Sequence, residues 1–82
     1  MDRATLLENL AKARLIAEQG ETRIADQKDV IVRFEISGND VTEAKQLLSN
    51  YQTLQDVRFA EIDQLLNQLD KLDGRTNGDL VQ

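Results

Sequence analysis

The sequence predicts an all-α fold: an antiparallel two-helix hairpin of coiled-coil type, pairing with a second copy into a four-helix bundle. Three observations predict it. Two strings of residues spaced four and three apart run toward Gly38-Asn39-Asp40 from either side. The first is Leu6, Leu10, Ala13, Ala17, Gly20, Ile24, Gln27, Ile31 and Phe34; the second is Ala44, Leu48, Tyr51, Gln55, Arg58, Ile62, Leu65, Leu69 and Leu72. Folding at the glycine sets them opposite one another in matched register, from Phe34 against Ala44 out to Leu6 against Leu72. A seven-residue repeat of this kind is the pattern of helices packed knobs-into-holes. The chain also has no proline, so nothing in the backbone breaks either arm.

The first helix is expected from about residue 3 to 36, starting on Asp2 as N-cap or on Thr5, where Thr5-Leu6-Leu7-Glu8 has the form of a capping box. Glu8 with Lys12 and Asp29 with Arg33 stand four apart with the acid first, the favourable order on a helix surface. Val30-Ile31-Val32-Arg33-Phe34-Glu35-Ile36 is β-branched and aromatic enough to pass for a strand. No other segment resembles a partner strand, and Ile31 and Phe34 keep the heptad phase, so the helix is expected to run through it. Residues 37–40, Ser37-Gly38-Asn39-Asp40, supply a stop and a start. Gly38 suits the left-handed conformation that ends a helix, and Asp40 with Glu43 has the spacing of a reciprocal cap for the next. So short a connection obliges the helices to lie side by side. The second helix is expected from about residue 41 to 72, ending at Asp73-Gly74. The hairpin domain thus covers 1–74, and 75–82, which lacks periodicity, reads as a mobile tail.

At 82 residues the chain is one domain, and two helices bury little surface, for which self-association is the usual remedy. There is no cysteine and no histidine. Disulfides, thiolate metal sites and the commonest general base are therefore absent. The longest apolar run is Val30-Ile31-Val32, far short of a membrane span, and Met1-Asp2-Arg3 leads into an amphipathic pattern without a signal-peptide core. A cytoplasmic, soluble protein with no membrane partner is the expectation. The net charge is −5, with −1 on residues 1–36 and −4 on residues 37–82. Neutralising phosphates needs the opposite balance, so no nucleic-acid partner is expected.

Gly38-Asn39-Asp40-Val41-Thr42-Glu43-Ala44, followed by Leu47-Leu48, Gln55 and Leu65-Leu66, resembles a group of short, uncharacterised helical proteins of proteobacteria, many of which have a Gly-His-Asp turn here. Asn39 stands where that group often has histidine, and Phe59 where another is expected. The resemblance implies a bacterial helical hairpin and no particular activity.

Candidate chemistry is sparse. Glu18 with Glu21, Asp26 with Asp29 and Asp70 with Asp73 recur at helical spacing, but metal sites inside bundles commonly use Glu-x-x-His and point inward. These acids fall mostly outside the seam and read as a solvated face. Ser37, Ser49 and the threonines have no histidine to activate them. No catalytic, cofactor-binding or metal-ligating residue is assigned, no cofactor is expected, and the chain is read as a non-enzyme. Two other features remain. In mid-seam Gly20 faces Arg58, Ile24 faces Gln55 and Gln27 faces Tyr51, polar layers that either control register or line a partner groove. Arg58 is expected to lie across Gly20 and reach Glu18 or Glu21. Near the turn Val30, Leu47 and Leu54, with Val57 one step outward, make one edge apolar, while Glu35 with Lys45 and Lys28 with Gln52 make the other charged. An apolar stripe marks an interface. The leading expectation is a homodimer joined through Val30, Leu47, Leu54 and Val57; the alternative is a binding module that docks the same edge on a different protein. Ile16, Leu15, Phe59 and Leu66 also look uncovered, Ile16, Phe59 and Leu66 as a second patch.

Overall fold

The computed structural model describes residues 2–74; the tail 75–82 lies outside them. Two helices, α1 (Arg3–Ile36) and α2 (Thr42–Leu72), lie antiparallel along the seam that the heptads mark out. No strand occurs among the described residues. The β-prone stretch before the turn is helical to Ile36, with Ile31 buried in the seam. Tertiary burial of one residue in the correct phase outweighs weak local propensity there.

Asp2 is the N-cap of α1. Its Oδ1 accepts from the Thr5 amide at 2.8 Å, which places Thr5 at the third helical position and settles the alternative. That backbone bond, with a side-chain bond from Thr5 next, holds the Asp2 carboxyl below the usual carboxylate range. At the other end Asp40 is held low in the same direction, first by the Thr42 hydroxyl at 2.7 Å and then by the Thr42 amide at 3.0 Å. Because both groups are depressed in the folded chain, what they contribute is present above the unfolded value and is lost as pH falls through the folded one.

The reciprocal cap expected from Asp40 and Glu43 does not form. The N-cap position is Val41, without a side-chain cap bond, so Glu43 is the second helical residue and a capping box needs the third. Asp40 instead closes on Thr42 from one residue further out. Glu43 remains an acid in the first turn, where the helix dipole favours it.

The turn is a Schellman closure. Gly38 has φ +76°, the Asn39 amide donates to the Phe34 carbonyl at 2.9 Å, and the Gly38 amide donates to Glu35 at 3.1 Å. Those two bonds satisfy carbonyls that the end of a helix leaves orphaned. A Cβ on Gly38 would meet nothing within 4 Å, so a substitution there tests backbone strain alone. Gly38→Val is expected to cost about 1 to 2 kcal/mol; thermal unfolding followed by circular dichroism checks this, and an unchanged midpoint would refute the strain argument.

The buried hydrophobic cluster lies toward the open end. Leu6, Leu10, Ala13, Leu65 and Leu69 form a buried cluster with Ile62 and Leu66 packed against it, and Arg3 closes the end on Asp73 at 2.9 Å. Leu66, expected to be uncovered, is therefore half-buried. Two outer seam positions fail in the opposite sense, since Phe34 and Leu72 are exposed. Each lies in the last turn of its helix, where the antiparallel partner is only beginning and offers little to cover it. The surface pairs anticipated from spacing are present, Lys12 with Glu8 at 3.3 Å and Arg33 with Asp29 at 2.6 Å; exposed pairs of this kind contribute little.

Candidate functional site

Mid-seam polarity is built around one side chain. Gln55 is only 3% exposed, and its Nε2 donates both to the Ala17 carbonyl at 2.7 Å and to Glu21 Oε1 at 2.9 Å. Its Oε1 has no hydrogen-bond partner among the described residues. Gly20 makes the room: a Cβ at that position would fall inside contact distance of Gln55 Oε1 and 2.7 Å from Arg58 Nη1. Arg58 thus lies across the glycine as its seam position predicts. Among the described residues it makes no ion pair with Glu18 or Glu21, and the Glu21 carboxylate accepts from Gln55. Spacing alone identified Gln55 as a seam residue and missed Glu21 as its acceptor, which lies one position outside the heptad string.

Gln27 is half-buried, and its Nε2 donates to the Ala44 carbonyl at 2.9 Å. The expected register placed it beside Tyr51; its amide instead reaches toward the turn and takes up carbonyl capacity on α2, for which each helical carbonyl has a second lone pair. Tyr51 is half-buried in the same region. These contacts tie α1 and α2 together where apolar packing is thin.

The four residues expected at an interface divide. Val30 is half-buried by the hairpin itself, whereas Leu47, Leu54 and Val57 are 40%, 50% and 60% exposed. Val30, Leu47 and Leu54 each immediately precede a residue of the seam, Ile31, Leu48 and Gln55, so they share one edge of the pair. By the same rule Ile16 belongs to this edge and Phe59 and Leu66, which follow seam residues, to the opposite one. The second patch expected from Ile16, Phe59 and Leu66 is therefore not one surface. The last turns of α1 add apolar surface that the sequence reading overlooked, with Val32 exposed and Ile36 exposed at 81%. Both are helical residues off the seam whose only warning in the sequence is their bulk.

No group of three or more acidic, histidine or cysteine side chains placed to hold a metal ion occurs among the described residues. No helix among them is long and apolar enough to cross a membrane. Compared with family models, with curated proteins and with solved structures, the chain has no match.

Proposed function

We propose that this chain is a non-enzymatic helical protein that acts through protein-protein contact, associating with a second copy into an antiparallel four-helix bundle. The observation that supports it is the edge formed by Leu47, Leu54 and Val57, each at least 40% exposed on one helix. Apolar side chains aligned along one edge lower their free energy by association, at roughly 25 cal/mol per Å² removed from water. Val30 and Ile16 continue that edge on α1. A chain without histidine or cysteine, and with no nucleic-acid or membrane signal in its charge or hydropathy, fits a cytoplasmic interaction role. Membership of the proteobacterial hairpin group suggested by the turn motif belongs to the same proposal.

A second reading has its own support. Leu6, Leu10, Ala13, Ala17, Leu65 and Leu69 are buried within a single hairpin, so closing the seam does not require a second copy. A monomer that offers its edge to a different protein, as in helix-in-groove recognition, satisfies the same facts. Light scattering across a dilution series separates the two. Self-association gives twice the 9.3 kDa chain mass at concentrations above the dissociation constant; a single-chain mass throughout the series would leave only the second reading.

A further inference from the structure

We infer that Gln55, seated in the notch at Gly20, is the residue that selects how the two helices pair: it fixes their register and their heterotypic partnership at a cost in stability. Gly20 is the one glycine inside either helix; Gly38 and Gly74 lie beyond the helix ends. The seam therefore has room for a long polar side chain against the opposite backbone at a single level. In the observed register Gln55 fills that room and finds two acceptors on the opposite helix, the Ala17 carbonyl and the Glu21 carboxylate.

Every alternative pairing loses this arrangement. A slip of one heptad moves Gln55 seven residues along α1, where Ala13 or Gln27 carries a Cβ in the place of the glycine. It also puts Arg14 or Lys28, neither of which can accept a hydrogen bond, in the place of Glu21. Pairing of like helices in parallel sets notch against notch and Gln55 against Gln55, leaving a void in one layer and buried amides in another. The leucine and alanine layers discriminate weakly among these states, because one apolar layer resembles the next.

The orphaned Oε1 marks the layer as a poor stabiliser. A buried acceptor without a partner weakens the fold that contains it, and an apolar side chain of similar length would avoid that loss. Buried polar groups at seam positions of coiled coils specify register and partner in return for stability. Arg58 completes the discrimination. Its guanidinium lies over Gly20 beside Gln55 Oε1, and in any pairing of α2 with a second α2 in the same direction two arginines would face each other.

The test uses the full chain, whose lack of cysteine allows clean labelling. Spin labels on Ala25→Cys and Asn67→Cys, both exposed, sit on different helices well apart along the axis. A one-heptad slip changes their axial separation by about 10 Å. With labelled protein diluted into unlabelled chain, the parent should give one distance. Adding Gln55→Leu should raise the thermal midpoint by about 5 °C and add a second distance population or a second mass species. Gln55→Met, which keeps the length and flexibility of the side chain, should do the same. A single unchanged distance with a single mass in both variants would overturn the inference, since the turn alone would then fix the register. A lowered midpoint in both would overturn it differently, by showing that Gln55 stabilises the hairpin.

Discussion

If the chain pairs with a second copy as proposed, the Leu47→Lys, Leu54→Lys double variant should run as a monomer at concentrations where the parent chain is a dimer. The two positions are seven residues apart, two helical turns along one edge, and both are substantially exposed in the hairpin. Lysine there disturbs the isolated chain little, because its stem lies along the helix and its ammonium group stays in water. Covering the edge changes the balance. A two-fold dimer would have to cover four ammonium groups, and a charge buried without a partner costs on the order of several kcal/mol. A micromolar association is worth only about 8 kcal/mol, so the contact should vanish. Light scattering reads the loss of mass. The thermal midpoint should fall with it, since a partner that binds only the folded state stabilises by mass action. If the variant stays folded with an unchanged midpoint and loses only a heterologous partner, the binding-module reading is correct. A variant that remains a dimer would remove this edge from consideration and direct attention to Val32 and Ile36 beside the turn.

Much of this architecture is written in short-range signals. The seam is legible because its period is set by helix geometry, and Leu10, Ala13, Leu65 and Leu69 are buried where the repeat puts them. Gly38 is legible because only a residue without a side chain adopts its φ cheaply. What escapes the sequence depends on where a neighbouring element begins. Glu43 misses its cap by one residue because α2 starts at Thr42. The Gln55 bond to Glu21 depends on space left by Gly20 across the seam, and a heptad string says nothing about which acceptor a long side chain will reach. The proposed interface is the least legible part. Leu47, Leu54 and Val57 are uncovered in the hairpin, and a heptad repeat encodes only the contact between its own two helices.

The heptad string treats Leu69 and Leu72 as equivalent seam positions, and their replacement by alanine should separate them sharply. Leu69 is 5% exposed and belongs to the cluster with Leu6, Leu10, Ala13 and Leu65. Leu69→Ala removes buried methyl groups and leaves a void between helices that close only partly around it, a change that costs about 2 to 5 kcal/mol. Small domains have little stability to spare, so this variant should unfold at a much lower urea concentration than the parent. Leu72 is one turn further on, exposed in the final turn of α2 where α1 is only beginning. Leu72→Ala removes surface that water already reaches and should cost less than about 1 kcal/mol. Urea unfolding at one fixed protein concentration measures both. Equal costs would mean that Leu72 is covered in solution by something other than the described residues of the hairpin. The contrast therefore tests whether the core of the hairpin stops at Leu69.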